Sequence, residues 1–204
     1  MAKLGHRRGI CAEGRLHIGD RQAKWKADRV SSPDALAVAV RRVQKLPYAW
    51  PAPPDAASTR AAGCGTCAGK HAVLREDLAE LGLITHRLMV VGPLVPSLWP
   101  DLVERAGDLL EVHECVTVET PWAGPLLLDA TWHPAAVQAG LSGTIVWDGA
   151  SDMACAVTPQ AWYAVGDDRF REQKELLRSR LYSSEQRIIR DEVLAEMAHR
   201  AATS

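Results

Sequence analysis

The run Gly63-Cys64-Gly65-Thr66-Cys67-Ala68-Gly69-Lys70-His71 constrains this chain more than any other stretch. Small residues lead up to Cys67. From there Ala68, Ala72, Val73, Leu74, Leu78, Ala79 and Leu81 recur at helical spacing until Gly82 stops them. The spacing predicts a helix over 67–81 with Cys67 at its start. Unpaired N–H groups and the helix dipole favour negative charge there, so a thiol is easily ionised. Gly63 and Gly65 are expected to let the backbone turn and to keep bulk away from the sulfur.

A nucleophilic cysteine needs a base, and the base needs an orienting group. Glu111-Val112-His113-Glu114-Cys115-Val116-Thr117-Val118-Glu119 is β-branched and alternating, which predicts a strand with His113 near its start. A turn at Pro121-Trp122-Ala123-Gly124 leads into Pro125 to Thr131, a returning strand that holds Asp129. Such a hairpin brings His113 and Asp129 to one end, giving a Cys67-His113-Asp129 arrangement.

In this order the motifs Gly65-Thr66-Cys67, His113-Glu114-Cys115-Val116 and Leu128-Asp129-Ala130-Thr131 resemble the transglutaminase-like superfamily. The likeness is nearest to small bacterial members with a Gly-Thr-Cys-x-x-Lys-His motif, and it covers about residues 35 to 135. Cys115 stands where that family often has an aromatic residue. The resemblance implies a papain-like α+β fold, with a Cys-bearing helix on an antiparallel sheet. It also implies acyl chemistry at Cys67 on an amide, ester or thioester, by hydrolysis or amide formation. No metal or organic cofactor is implied. Tyr48, Trp50, Thr66 and Trp132 are the candidate substrate contacts, and the Cys67 N–H is the expected oxyanion donor.

Two other readings use the same residues. Cys64-Gly65-Thr66-Cys67 is a C-x-x-C at a helix start, a thiol-redox pattern, but residues 51–62 make a poor preceding strand. Cys64, Cys67 and His71 with Cys115 or His113 could ligate zinc, although a second tight ligand pair is missing. A non-catalytic domain that keeps these residues is a third reading. His71 reads as a hydrogen-bonded core histidine. Lys70 reads as an exposed first-turn lysine, with a substrate carboxylate as its alternative partner.

The 204 residues predict a polar arm over 1–31, a catalytic core over 32–166 and a helical extension over 167–204. Cys11 and His17 lie in the arm with nothing nearby to complete a site. A helix is expected over 35–46, then an extended proline-rich connector to about Ser58. Further expectations are a strand over 87–92, a short helical turn over 101–106 and a brief helix or irregular link over 135–142. Short strands are predicted at 144–148 and 153–157, and helices at 169–181 and 185–200. The last two read as packed on the domain, with a dimer interface or lid as the second reading.

A net charge of -1 gives no electrostatic case for nucleic acid or an anionic membrane surface. No apolar run is long enough to cross a bilayer. The basic start lacks the apolar core of a secretory leader, and the odd count of 5 cysteines is no disulfide framework. A cytoplasmic protein acting on a small or carrier-bound acyl substrate is therefore expected.

Overall fold

Strong local punctuation sets the helices. In a computed structural model that describes residues 32–96 and 98–203, the Ser32 hydroxyl accepts from Ala35 N at 3.2 Å and starts helix α1 (Pro33–Gln44). Asp55 accepts from Ser58 N at 2.9 Å and starts α2 (Ala56–Ala62), which Gly63 ends at φ +67°. Thr66 caps α3 (Cys67–Glu80) by accepting from Gly69 N at 3.3 Å. The expected connector to Ser58 is thus cut short by α2, because Asp55 supplies the cap that the prolines before it cannot. The arm over 1–31, with Cys11 and His17, lies outside the described residues.

The glycines of the organising run have different uses. Gly63 makes the left-handed turn. A side chain at Gly65 or Gly69 would instead strike the buried Thr59, at 2.8 Å from its Cγ2 and 2.3 Å from its Oγ1. Contrary to expectation, Gly65 clears space for α2, not for the sulfur.

Four antiparallel strands follow in the order β3-β2-β1-β4: β1 (Ile84–Pro93), β2 (Leu110–Thr120), β3 (Gly124–Leu128) and β4 (Ala161–Ala164). With α4 (Pro100–Ala106), α5 (Pro134–Gln138), α6 (Phe170–Leu181) and α7 (Ser184–Thr203), the described residues form an α+β fold. The expected strands at 144–148 and 153–157 are absent. Ile145 and Val146 are exposed, and the segment's backbone is satisfied piecemeal: Thr144 O by Gln44, Ser151 O by Trp147, Ala156 N by Asp129. β4 lies a few residues further on, where sequence analysis had no strand.

One core lies between α1, α3 and the sheet, where Leu36, Val40, Leu74, Leu78, Val116, Val118 and Leu128 are almost fully buried. Each such side chain contributes about 1.5–3 kcal/mol of burial. A second core joins α4, α5 and α7 through Leu102, Ala136, Val193, Leu194 and Met197. Two buried carboxylates on β2 fasten the C-terminal helices. Glu111 accepts from Arg190 of α7 at 2.6 and 2.7 Å and from Arg178 of α6 at 3.4 Å. Glu114 accepts from Lys174 of α6 at 3.1 Å and from Arg87 of β1 at 2.9 and 3.1 Å. No helix of the described residues is long and apolar enough to cross a membrane.

Candidate active site

The end of a ladder creates the site. β3 pairs with β2 only from Val116 to Thr120, so Leu110–Cys115 of β2 has no strand on that side. His113 lies in this unpaired stretch, opposite Val90 of β1. Asp129 is the first residue after β3. Its Oδ2 accepts from His113 Nε2 at 2.7 Å and from Ala156 N at 2.7 Å, while Oδ1 accepts from Thr131 N at 3.1 Å. With Nε2 engaged by the carboxylate, Nδ1 is the ring atom left for the thiol.

Cys67 occupies the first turn of α3 and is 7% exposed. The N–H groups of Cys67 and Ala68 have no intrahelical acceptor, because the residues four before them, Gly63 and Cys64, lie outside α3. Cys67 and His113 border the same cavity, and each favours the charged form of the other. Burial pushes the thiol up, but the charges of Lys174 and His113 outweigh it and hold its pKa below the ordinary value. Burial likewise lowers His113, yet Asp129 and Cys67 outweigh it and raise the imidazole well above its ordinary value. Asp129 is driven the other way: burial raises it, and His113 more than offsets that. The favoured state is a thiolate, an imidazolium and a carboxylate in a row.

His71 sits one turn along α3, fully buried. Its Nε2 accepts from Ala130 N at 2.9 Å, and burial lowers its pKa to about 4. It is therefore a neutral core histidine, as expected from sequence. Lys70 departs from expectation. It is 0% exposed, and its ammonium donates to the carbonyls of Gln44 (3.3 Å), Leu46 (2.7 Å) and Thr131 (2.6 Å). The helix-facing interior has taken it, so it is not available to a substrate carboxylate.

The four candidate contacts divide. Tyr48 lines both cavities that reach Cys67 and packs on Trp132 with ring centroids 4.8 Å apart. Burial first, then Cys67 and Glu111, keep its phenol protonated. Trp132 walls one cavity, while Trp50 walls the other with Arg190 4.9 Å from its ring. Thr66 lines the second cavity too, but its hydroxyl is spent on the cap. Trp132 Nε1 and Thr131 Oγ1 have no hydrogen-bond partner among the described residues.

The chain matches no known family model and no curated protein. The site's own geometry therefore carries the chemical argument.

Among the described residues, no group of three or more His, Cys, Asp and Glu side chains is arranged to hold a metal ion. His71 Nε2 is occupied by a backbone N–H, which removes it from the zinc set considered above. Cys64, Cys67, Cys115 and Cys155 are all free thiols.

Sequence reasoning missed the charged residues around the thiol: Lys174, Glu114, Glu111, Arg178 and Arg190. The available signal was two glutamates flanking His113 within a β-branched strand. Carboxylates buried there require cations, and the Arg/Lys-rich C-terminal helices supply them.

Proposed function

We propose that this chain is a cysteine-dependent acyl-transfer enzyme with a papain-like, transglutaminase-like core. The observation that carries the reading is the buried 2.7 Å contact between His113 Nε2 and Asp129 Oδ2, beside a thiol at the first turn of a helix. The Cys67 thiolate attacks the carbonyl carbon of an amide, ester or thioester. The resulting oxyanion is met by the Cys67 N–H and by the Tyr48 hydroxyl, which stays protonated and shares both cavities with Cys67. The tetrahedral adduct collapses, and the leaving group departs with the proton of the His113 imidazolium. His113, now neutral, takes a proton from water or an amine as that nucleophile attacks the acyl-thioester. Thiolate and imidazolium are restored. Asp129 fixes the imidazole and stabilises its charge throughout. No cofactor enters these steps. A small or carrier-bound acyl donor in the cytoplasm is the proposed substrate.

Incubation with p-nitrophenyl acetate and intact-mass analysis tests the reading. One acetyl group should appear on Cys67 with a burst of p-nitrophenolate. Cys67→Ala should abolish both, and Cys64→Ala should stay within about twofold of the unmodified chain. Absence of an adduct, or its placement on Cys64, would overturn the assignment.

A further inference from the structure

Cys67 stands between two cavities of unlike character. On one side is a space of about 330 Å³ walled by Leu94, Val95, Val103, Trp132, Leu194 and Met197, with His113 also on its surface. The carboxylate in its lining, Glu111, is already neutralised by the paired bonds from Arg190. On the other side is a cleft of about 660 Å³ whose lining includes Arg75, Arg87, Arg171, Lys174, Glu76 and Glu175. The two linings share Cys67, Tyr48 and Glu111, so Cys67 borders both spaces.

We infer that the apolar cavity is the acyl-binding site and selects aliphatic acyl groups of medium length, while the charged cleft receives the polar leaving group. This rests on the acyl-transfer reading above. The physical case is desolvation. An aliphatic chain placed against Leu94, Val103, Leu194 and Met197 leaves water at no polar cost, whereas the same chain in the charged cleft would strip water from arginines and glutamates. A terminal carboxylate on the acyl group is excluded because the apolar wall offers it no cation in exchange for its water. A water-sized group takes about 30 Å³ of a condensed phase, packing gaps included, so 330 Å³ holds at most roughly eleven chain carbons. Leu194 and Met197 belong to α7, so the C-terminal helix supplies part of the specificity.

The test is a chain-length series of p-nitrophenyl esters, from acetate through butyrate and hexanoate to octanoate and dodecanoate, with p-nitrophenyl succinate as the charged control. The leaving group is constant, so acylation kcat/KM of Cys67 reports the acyl site. It should rise roughly fourfold per added methylene, the value of burying one such group, then level off or fall beyond octanoate. Succinate should be slower than butyrate. Val103→Trp, at the cavity's partly exposed rim, should cut the octanoate-to-acetate ratio at least tenfold. Equal rates along the series with Cys67 acylated each time would overturn the cavity assignment and leave the acyl-enzyme intact. Failure of every ester to acylate Cys67 would remove the acyl-enzyme itself, and the cavity assignment with it.

Discussion

Asp129 has a histidine on each side, and the two sides behave oppositely. His113 Nε2 is 2.7 Å from Oδ2 and His71 Nε2 is 3.5 Å from Oδ1. Both rings are buried, with centroids 6.2 Å apart. Burial lowers each pKa. For His113 the carboxylate and the thiol together reverse that, while for His71 the charges of Asp129 and Glu114 do not. The deciding contact is a backbone one. Ala130 N donates to His71 Nε2, so that atom must keep its lone pair and cannot also donate to Asp129. Proximity to a carboxylate therefore does not make a histidine a base. What counts is which partner occupies the ring nitrogen.

The comparison breaks most sharply under mutation of the two rings. His113→Ala should slow acylation of Cys67 at least 100-fold, the order expected for loss of a general acid–base group. His71→Ala should leave acylation in the folded protein within about tenfold. It should instead lower stability by roughly 1–3 kcal/mol, because Ala130 N–H loses its buried acceptor. Burst kinetics and urea unfolding separate the two, and equal kinetic losses at equal stability would erase the distinction.

Removing the charge between the rings comes next. Asp129→Asn faces three N–H donors, from His113, Ala156 and Thr131, with an amide that accepts at one end only. A loss of about 1–3 kcal/mol is expected. The rate of Cys67 alkylation by iodoacetamide should also shift to higher pH, since the imidazolium that holds the thiolate is weakened. An unchanged alkylation profile in the folded variant would take Asp129 out of the mechanism.

The histidines also predict opposite slopes of stability against pH. The folded pKa of His71, about 4, lies below its ordinary 6.5, so the unfolded chain binds the proton more readily. Its contribution is present above 6.5 and is lost as pH falls towards 4, by up to about 3 kcal/mol. His113 is raised, so its contribution is complete below 6.5 and is lost as pH rises through the folded pKa. Urea unfolding from pH 4 to 10 should show the acid-side loss flattened in His71→Gln and the alkaline-side loss reduced in His113→Gln. A like response in both variants would refute the tautomer argument.

The smallest effect sharpens the His113 side alone. Lys174 lies near the thiol but shares its charge with Glu114. Lys174→Met should move the alkylation profile of Cys67 to higher pH, by less than His113→Ala does, while Glu114 keeps its two bonds from Arg87. A profile identical to that of the unmodified chain would limit Lys174 to fastening α6.

Cys67, His113 and Asp129 were legible because each stands at a punctuated end: a capped helix start, a strand beyond its partner's reach, and the residue after a strand. Their local sequence decides those positions. Lys70 was not legible. A lysine in a first helical turn reads as solvated, and only the convergence of three distant carbonyls makes its burial tolerable. The 144–157 segment misled for a related reason. Thr144, Ile145 and Val146 have strand-like side chains, but the backbone there bonds to side chains of α1 and the Asp129 turn, and no ladder forms. β4 carries only four residues, too few for a periodic signal.

The C-terminal helices also give the molecule a calendar. A chain leaves the ribosome from its N-terminus, at about 5–20 residues per second. Cys67, His113 and Asp129 are therefore all delivered before Lys174, Arg178, Arg190, Leu194 and Met197. Until α6 and α7 arrive, Glu111 and Glu114 lack the cations those helices bring, and both spaces beside Cys67 lack part of their walls. The thiol also lacks the Lys174 charge that helps hold it ionised. Full ionisation of the Cys67 thiol thus waits for α6 and α7, and a nascent chain that stops short of them carries Cys67, His113 and Asp129 in a muted form.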